Sequence, residues 1–187
     1  MKAILTLHLI FLSMIFLVNN SDLDGYCGYD HIHYDTIEEA HRNNTKILGC
    51  GPCGACSNEH DVHIYWQTRN NLTKVSRVCA VKSLLSEKWG EKCMKEQVGF
   101  TDDCNKCWME NIKCDRENCK WVCLWSLIIN EPYVDDDEKL NECLQCDEDK
   151  CGPAFKKCAG ANRRRSCIAS DIMRDEALIC TACESKE

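Results

Sequence analysis

The chain has 187 residues, 18 of them cysteine, and a formal net charge of −7. Its length fits one domain, and cysteine at this density is typical of a disulfide scaffold. The acidic balance argues against broad nucleic-acid binding, because phosphate backbones attract basic surfaces. The even number of cysteines permits complete pairing, although sequence alone does not give the connectivity.

The N-terminus has the form of a secretory signal peptide. Lys2 precedes a mostly apolar run from Ala3 to Val18, as in the charged and hydrophobic regions of such peptides. A membrane-spanning helix needs about twenty apolar residues. We therefore predict a signal peptide over residues 1–21, a secreted extracellular product and no transmembrane anchor in the mature chain. Retention of this segment as an anchor is the alternative.

The remainder is divided into a polar N-terminal segment with a cysteine-rich loop, residues 22–59, and a disulfide-stapled helical domain, residues 60–187. We expect residues 22–187 to form one unit. No stretch alternates polar and apolar residues over a useful length. The predicted fold class is therefore mainly α, a small disulfide-rich helical domain with helix hairpins and little or no sheet.

Apolar spacing and capping residues place the helices along the chain. A short helix is expected around residues 36–41, and spacings of three and four residues predict a long helix from His60 to Leu85. Thr101 and Asp102 can cap a further helix. Later helices are predicted from Asp115 to a stop at Glu131–Pro132, from Asp135–Asp137 through Cys146, from Gly152–Pro153 to Cys158, and over Asp171–Ile179.

Cysteines three or four positions apart share one face of a helix. Two such helices packed antiparallel can be joined by two disulfides. The preferred hairpin joins one pair of cysteines to a later pair, namely Cys104 and Cys107 to Cys119 and Cys123.

The stretch GCGPCGACSNEHDVHIYW, residues 49–66, contains two successive C-x-x-C spacings. CGPC matches the thioredoxin active-site tetrapeptide, but that chemistry needs a preceding strand in a βαβ context. Zinc also suits thiolates at this spacing, whereas a secreted chain favours disulfides. The histidines His31, His33, His60 and His63 with Asp30 offer a copper or zinc site, or solvated side chains. We expect a disulfide-stapled turn before a helix.

CSNEHDVHIY, residues 56–65, resembles the active-site helix of the small secreted calcium-dependent phospholipases. That family places a cysteine four residues before a His–Asp pair, as Cys56 precedes His60. CDREN, from Cys114, resembles the second motif of the family. The resemblance implies ester hydrolysis by a histidine base, a calcium-binding aspartate and an orienting aspartate. These roles would fall to His60, Asp61 and Asp115.

The sequence departs from the phospholipase pattern at Ser57 and His63, where that family has cysteines. The alternative is purely structural: Ser57 or Asn58 caps a helix whose first turn carries acidic residues. The chain also resembles a group of small secreted cysteine-rich eukaryotic proteins to which no activity is assigned. That resemblance rests on CGPCGACSN, residues 50–58, and CGPAFKKCAGANRRRS, residues 151–166, and implies secretion only.

Three surface features complete the candidate sites. Trp121 and Trp125 belong to an apolar stripe with Leu124 and Ile128, which we expect to be core, with an exposed partner- or lipid-binding face as the alternative. The one basic cluster, Arg163, Arg164 and Arg165, could bind a sulfated glycan or phosphate or be solvated. Asn43 and Asn71 have the form of glycosylation acceptors.

The leading functional interpretation is an extracellular interaction or structural role without catalysis and without a cofactor. Its partner would be an extracellular protein, glycan or lipid, and not a nucleic acid. The alternative is a calcium-dependent phospholipase-like ester hydrolase that uses His60, Asp61 and Asp115.

Overall fold

The computed structural model describes residues 24–135, 139–170, 172 and 178–184. The predicted signal peptide lies outside these residues, as does most of the helix expected over Asp171–Ile179. The described part is mainly helical, as predicted. Its elements are β1 Tyr26–Gly28, β2 His33–Tyr34, α1 Ile37–Arg42, β3 Ile47–Cys50, α2 Glu59–Gln67, α3 Leu72–Leu85, α4 Glu87–Gln97, α5 Asp102–Asn118, α6 Lys120–Ile128, α7 Glu142–Lys150 and α8 Gly152–Ala159. None of these helices is long and apolar enough to cross a membrane.

Side chains that accept hydrogen bonds from backbone amides start four of the helices. An oxygen on the preceding residue binds an amide of the first turn, which would otherwise lack a partner. The capping residues are Thr36 for α1, Asn58 for α2, Thr101 for α5 and Asn141 for α7. The helix expected from Asp135–Asp137 begins later, at Glu142, and residues 136–138 are outside the described part.

The N-terminal segment contains a small antiparallel sheet of order β2-β1-β3. Strand β3 is buried along its whole length. Its last residue, Cys50, forms a disulfide with Cys180, and the backbone amide of Cys50 donates a hydrogen bond to the carbonyl of Arg165. The sheet is thus attached to the C-terminal part of the chain.

The main core packs α2, α3, α4, α5 and the residues after α8 around aromatic side chains and disulfides. Tyr65, Leu72 and Met94 are fully buried. The sulfurs of Cys56–Cys104 and Cys79–Cys93 lie among them. Buried cysteine behaves as a small apolar residue, so the disulfides supply part of the core as well as the cross-links.

Two predicted helix boundaries are wrong. The long helix from His60 to Leu85 is two helices, because the chain turns after Gln67 and α3 begins only at Leu72. Conversely, α5 runs without interruption from Asp102 to Asn118. Asp115 therefore lies in the last turns of a helix and does not start one. Nothing in the sequence between Thr101 and Asn118 breaks a helix, since neither proline nor glycine occurs there.

All 18 cysteines lie in the described residues and form nine disulfides. The predicted hairpin with bridges from the Cys104/Cys107 pair to the Cys119/Cys123 pair is wrong. Both pairs lie along the consecutive helices α5 and α6, and Cys104 and Cys119 are about 22 Å apart at the rise of an α-helix. The actual pairs are Cys27–Cys53, Cys50–Cys180, Cys56–Cys104, Cys79–Cys93, Cys107–Cys158, Cys114–Cys151, Cys119–Cys146, Cys123–Cys143 and Cys167–Cys183.

Candidate ligand-binding cleft

A cavity of about 220 Å³ lies between the helices of the C-terminal half. Helices α3 and α6 form its two walls, α5 forms its floor, and α7, α8 and the segment after α8 close it. Four disulfides join α5 and α6 to α7 and α8 on one side. They are Cys107–Cys158, Cys114–Cys151, Cys119–Cys146 and Cys123–Cys143.

One face of each wall helix lines the cleft, as the helical repeat requires. Helix α3 contributes Ala80, Val81 and Leu84, and α6 contributes Leu124 and Leu127. Aromatic side chains of the floor and back complete the apolar surface: Trp108, Phe155 and Tyr65. The Trp108 indole packs edge-on to Phe155, with ring centroids 4.9 Å apart, and donates a hydrogen bond of 3.1 Å to the Tyr65 hydroxyl.

A pair of carboxyl groups lies where α5 meets α7. Asp115 is hydrogen-bonded to Asp147, and burial together with the Asp147 charge raises the pKa of Asp115 to about 8. Asn111, one turn earlier on α5, donates to Asp147 over 2.8 Å. Among the described residues, Asn111 Oδ1 and Asp115 Oδ1 are buried without a hydrogen-bond partner. At neutral pH the two carboxyl groups therefore share one proton.

Basic side chains lie around the apolar walls. Arg77 of α3 reaches across to α6, where its Nη2 lies 3.4 Å from Ser126 Oγ, and its guanidinium lies 4.8 Å from the ring centroid of Tyr133. Arg116 of α5 also lines the cleft and binds Glu87 over 2.7 Å. Arginines of two different helices therefore border the apolar surface.

The His60–Asp61 pair is outside this cleft. Asp61 is fully buried and accepts hydrogen bonds from the amide of Thr101 at 2.8 Å, the Thr101 hydroxyl at 2.6 Å and the side chain of Asn58 at 2.6 Å. These bonds tie α2 to the start of α5. His60 is exposed, and its Nε2 donates to the carbonyl of Gly99 over 2.8 Å.

The structure does not bring the three residues of the predicted hydrolase together. Asp61 is bonded to Thr101, which caps the N-terminus of α5, and Asp115 is fourteen residues further along that same helix. At 1.5 Å per residue, Asp115 lies about 21 Å from this end. Asp115 therefore cannot orient His60, and the oxygens of Asp61 are already engaged in structural hydrogen bonds.

The CGPC tetrapeptide is a stapled loop, as expected. Its two cysteines pair with different partners, Cys50 with Cys180 and Cys53 with Cys27. The next residue of the loop, Gly54, packs directly against the backbone at the end of α8. A Cβ on Gly54 would lie 2.5 Å from the amide nitrogen of Gly160. The loop therefore joins the sheet, α2 and α8, and neither cysteine is a thiol.

The interpretation of the tryptophan stripe as core is wrong. Trp121, Trp125 and Ile128 are 77%, 61% and 73% exposed. Only Leu124 of that stripe turns into the cleft. The periodicity identified an apolar face correctly, but no described element packs over most of it.

The three consecutive arginines do not form a solvated basic patch. Arg165 is buried and donates to the carbonyls of Lys156 and Gly160, each at 3.0 Å. Arg163 donates to Thr73 of α3, and Arg164 binds Glu148 of α7 over 3.0 Å. They hold the segment after α8 against the helices, and two of them, Arg163 and Arg164, also line the cleft.

The predicted glycosylation sites Asn43 and Asn71 are both exposed, one just after α1 and the other just before α3.

Sequence reasoning missed the residues that define the cleft, above all Arg77, Trp108 and Asp147. The spacing of Asn111 and Asp115 on one helix was a signal that these two polar side chains share a face. No sequence signal indicated that Asp147 would meet them.

Comparison with known proteins gives one family. A model described as a family of unknown function (DUF8771) matches residues 87–182, just over half of the chain. The matched region begins with α4 and includes α5 to α8, hence the floor, one wall and the back of the cleft. No curated protein and no solved structure matches. The chain belongs to this family of unknown function (DUF8771).

Proposed function

We propose that the protein is a secreted, non-catalytic binding protein that holds a small apolar molecule in the cleft between α3 and α6. The observation that carries this proposal is the cavity itself, with its aromatic and aliphatic lining and a few polar groups. Ligand sites in helical proteins commonly have this composition and lie between helices. At about 220 Å³ the space is small, so the ligand would be smaller than a typical drug-sized molecule.

The four disulfides across α5, α6, α7 and α8 support the same proposal. A cavity in a helical protein tends to collapse when the surrounding helices can move together. Covalent links fix the spacing of the helices on one side of the cleft, so the binding space would be preorganised. Preorganisation lowers the entropic cost of binding.

Secretion is part of the proposal, and nine disulfides support it because such bonds persist in an oxidising compartment. The test is expression of the full chain in eukaryotic cells, followed by N-terminal sequencing of protein from the medium. We expect a mature N-terminus close to Asp22 and a mass that falls on treatment with an N-glycosidase. Retention of the whole chain in the cell would contradict secretion.

Binding is tested with a neutral, environment-sensitive fluorescent probe, N-phenyl-1-naphthylamine. We expect saturable binding with a stoichiometry of one. Ala80→Trp should abolish it, because the indole would fill the space between the walls. Val78→Trp is the matched control, since Val78 is on the same helix, is half exposed and does not line the cleft. Equal probe binding by both variants would refute the cleft as the binding site.

A further inference from the structure

The charge of the cleft differs from that of the chain. The chain has 30 acidic and 23 basic residues, whereas the cleft is lined by six basic and three acidic side chains. The basic ones are Arg77, Arg116, Lys120, Lys156, Arg163 and Arg164, and the acidic ones are Asp115, Asp147 and Glu148. An acidic protein thus surrounds its apolar cavity with positive charge.

The acidic side chains of the cleft are paired locally. Glu148 binds Arg164 over 3.0 Å, in a pair whose side chains are both mostly buried. Asp115 and Asp147 are hydrogen-bonded to each other and share a proton, so this pair keeps one negative charge. The lining side chains thus carry six positive charges and two negative ones, one of which is already paired with Arg164.

Arg77 is the basic group best placed to meet a ligand. It lies on α3 beside the apolar wall residues Ala80 and Val81, and it forms no ion pair with any of the described residues. Its position over the Tyr133 ring and its contact with Ser126 fix the guanidinium plane. A planar guanidinium held in this way can bind a carboxylate through two parallel hydrogen bonds.

We propose that the cleft binds a small amphipathic carboxylate, with the carboxylate at Arg77 and the apolar chain between the walls of α3 and α6. This inference rests on the proposed function and adds the chemical class of the ligand. The two buried acceptors, Asn111 Oδ1 and Asp115 Oδ1, lie at the floor and would suit a hydrogen-bond donor. An apolar ammonium ion is therefore the competing ligand in the test.

The experiment is isothermal titration calorimetry at pH 7 with three ligands of one chain length: dodecanoate, dodecanol and dodecylammonium. The oxidised full-length secreted protein is compared with Arg77→Gln, Arg77→Lys and a matched control, Lys74→Gln, which removes an exposed charge outside the cleft on the same helix. We expect dodecanoate to bind most tightly. Arg77→Gln should weaken it about tenfold or more, since a hydrogen-bonded ion pair is lost, and should leave dodecanol affinity within about twofold.

Arg77→Lys should retain part of the dodecanoate affinity, and Lys74→Gln should retain all of it. Tighter binding of dodecylammonium than of dodecanoate, or equal loss of dodecanol and dodecanoate affinity in Arg77→Gln, would overturn the assignment of a carboxylate while leaving the cleft as a binding site. Failure of all three ligands, together with failure of the neutral fluorescent probe, would overturn the proposed function as well. Unchanged dodecanol binding in Arg77→Gln also confirms that this variant is folded.

Discussion

The Asp115–Asp147 pair makes the stability of the protein depend on pH, and Asp115→Asn should remove that dependence. The pKa of Asp115 is raised from 3.8 to about 8 by burial and by Asp147. Asparagine has the same shape, cannot ionise and can still donate a hydrogen bond to Asp147. The substitution therefore removes the titration with little change in packing.

The sign and size of this pH effect on the free energy of unfolding follow from proton linkage. Between pH 4 and pH 8 the folded protein holds a proton on Asp115 that the unfolded chain has released. The stabilisation is therefore complete below about pH 4 and declines as pH rises toward 8. One proton gives a slope of about 1.4 kcal/mol per pH unit. From pH 5 to pH 7 the unfolding free energy of the native protein should therefore fall by about 3 kcal/mol more than that of Asp115→Asn.

The assay is guanidinium-induced unfolding of the oxidised protein at pH 5, 6 and 7, with the disulfides intact. Glu117→Gln, which removes an exposed carboxylate from the same helix, is the control and should follow the native protein. The difference between the native protein and Asp115→Asn isolates the pair from other titrating groups. Parallel stability curves for these two proteins would refute the reasoning.

Three further predictions concern the fold. The intact non-reduced polypeptide should be eighteen hydrogens lighter than the reduced one, since nine disulfides are present; a smaller deficit in the mass spectrum would contradict the pairing. Asp61→Asn should destabilise the protein by about 3 kcal/mol in chemical unfolding, because charged hydrogen bonds to α5 are weakened, whereas His60→Ala should be close to neutral. The double variant Trp121→Ala, Trp125→Ala should change the free energy of unfolding by less than about 1 kcal/mol. Trp108→Ala should lower it by about 3 kcal/mol or more. Similar losses at the exposed and the cleft positions would refute the burial pattern.

The helical class of the fold could be predicted because the sequence carries local signals for it. Capping residues such as Thr101, and the apolar spacing along α3, determine the structure only within a few residues of their own positions. The end of α2 was missed because four polar residues after Gln67 form a turn without a proline or glycine to mark it. The boundary placed at Asp115 was wrong for the opposite reason, since an acidic residue is also compatible with a helix interior.

The disulfides and the cleft depend on contacts between distant segments. Cys107 and Cys158 are 51 residues apart in sequence, and nothing local specifies that α5 and α8 will meet. The apolar stripe of α6 was evident, but periodicity does not say whether another element covers it. The candidate site combines residues from six helices and the segment after α8. Neither Arg77 nor Asp147 therefore stands out in the sequence alone.

The overlap of the disulfide loops determines what a protease can do to this protein. Cys50–Cys180 encloses most of the chain, and the loops Cys27–Cys53 and Cys167–Cys183 overlap its two ends. A single cut anywhere between residues 27 and 183 therefore leaves the two pieces covalently joined. In a molecule cut in this way, the disulfides hold each helix close to the helices that it packs against. Degradation in a protease-rich fluid would then require several cuts or prior reduction of the disulfides. Survival of the protein would depend on its disulfide cross-links rather than on an unbroken backbone.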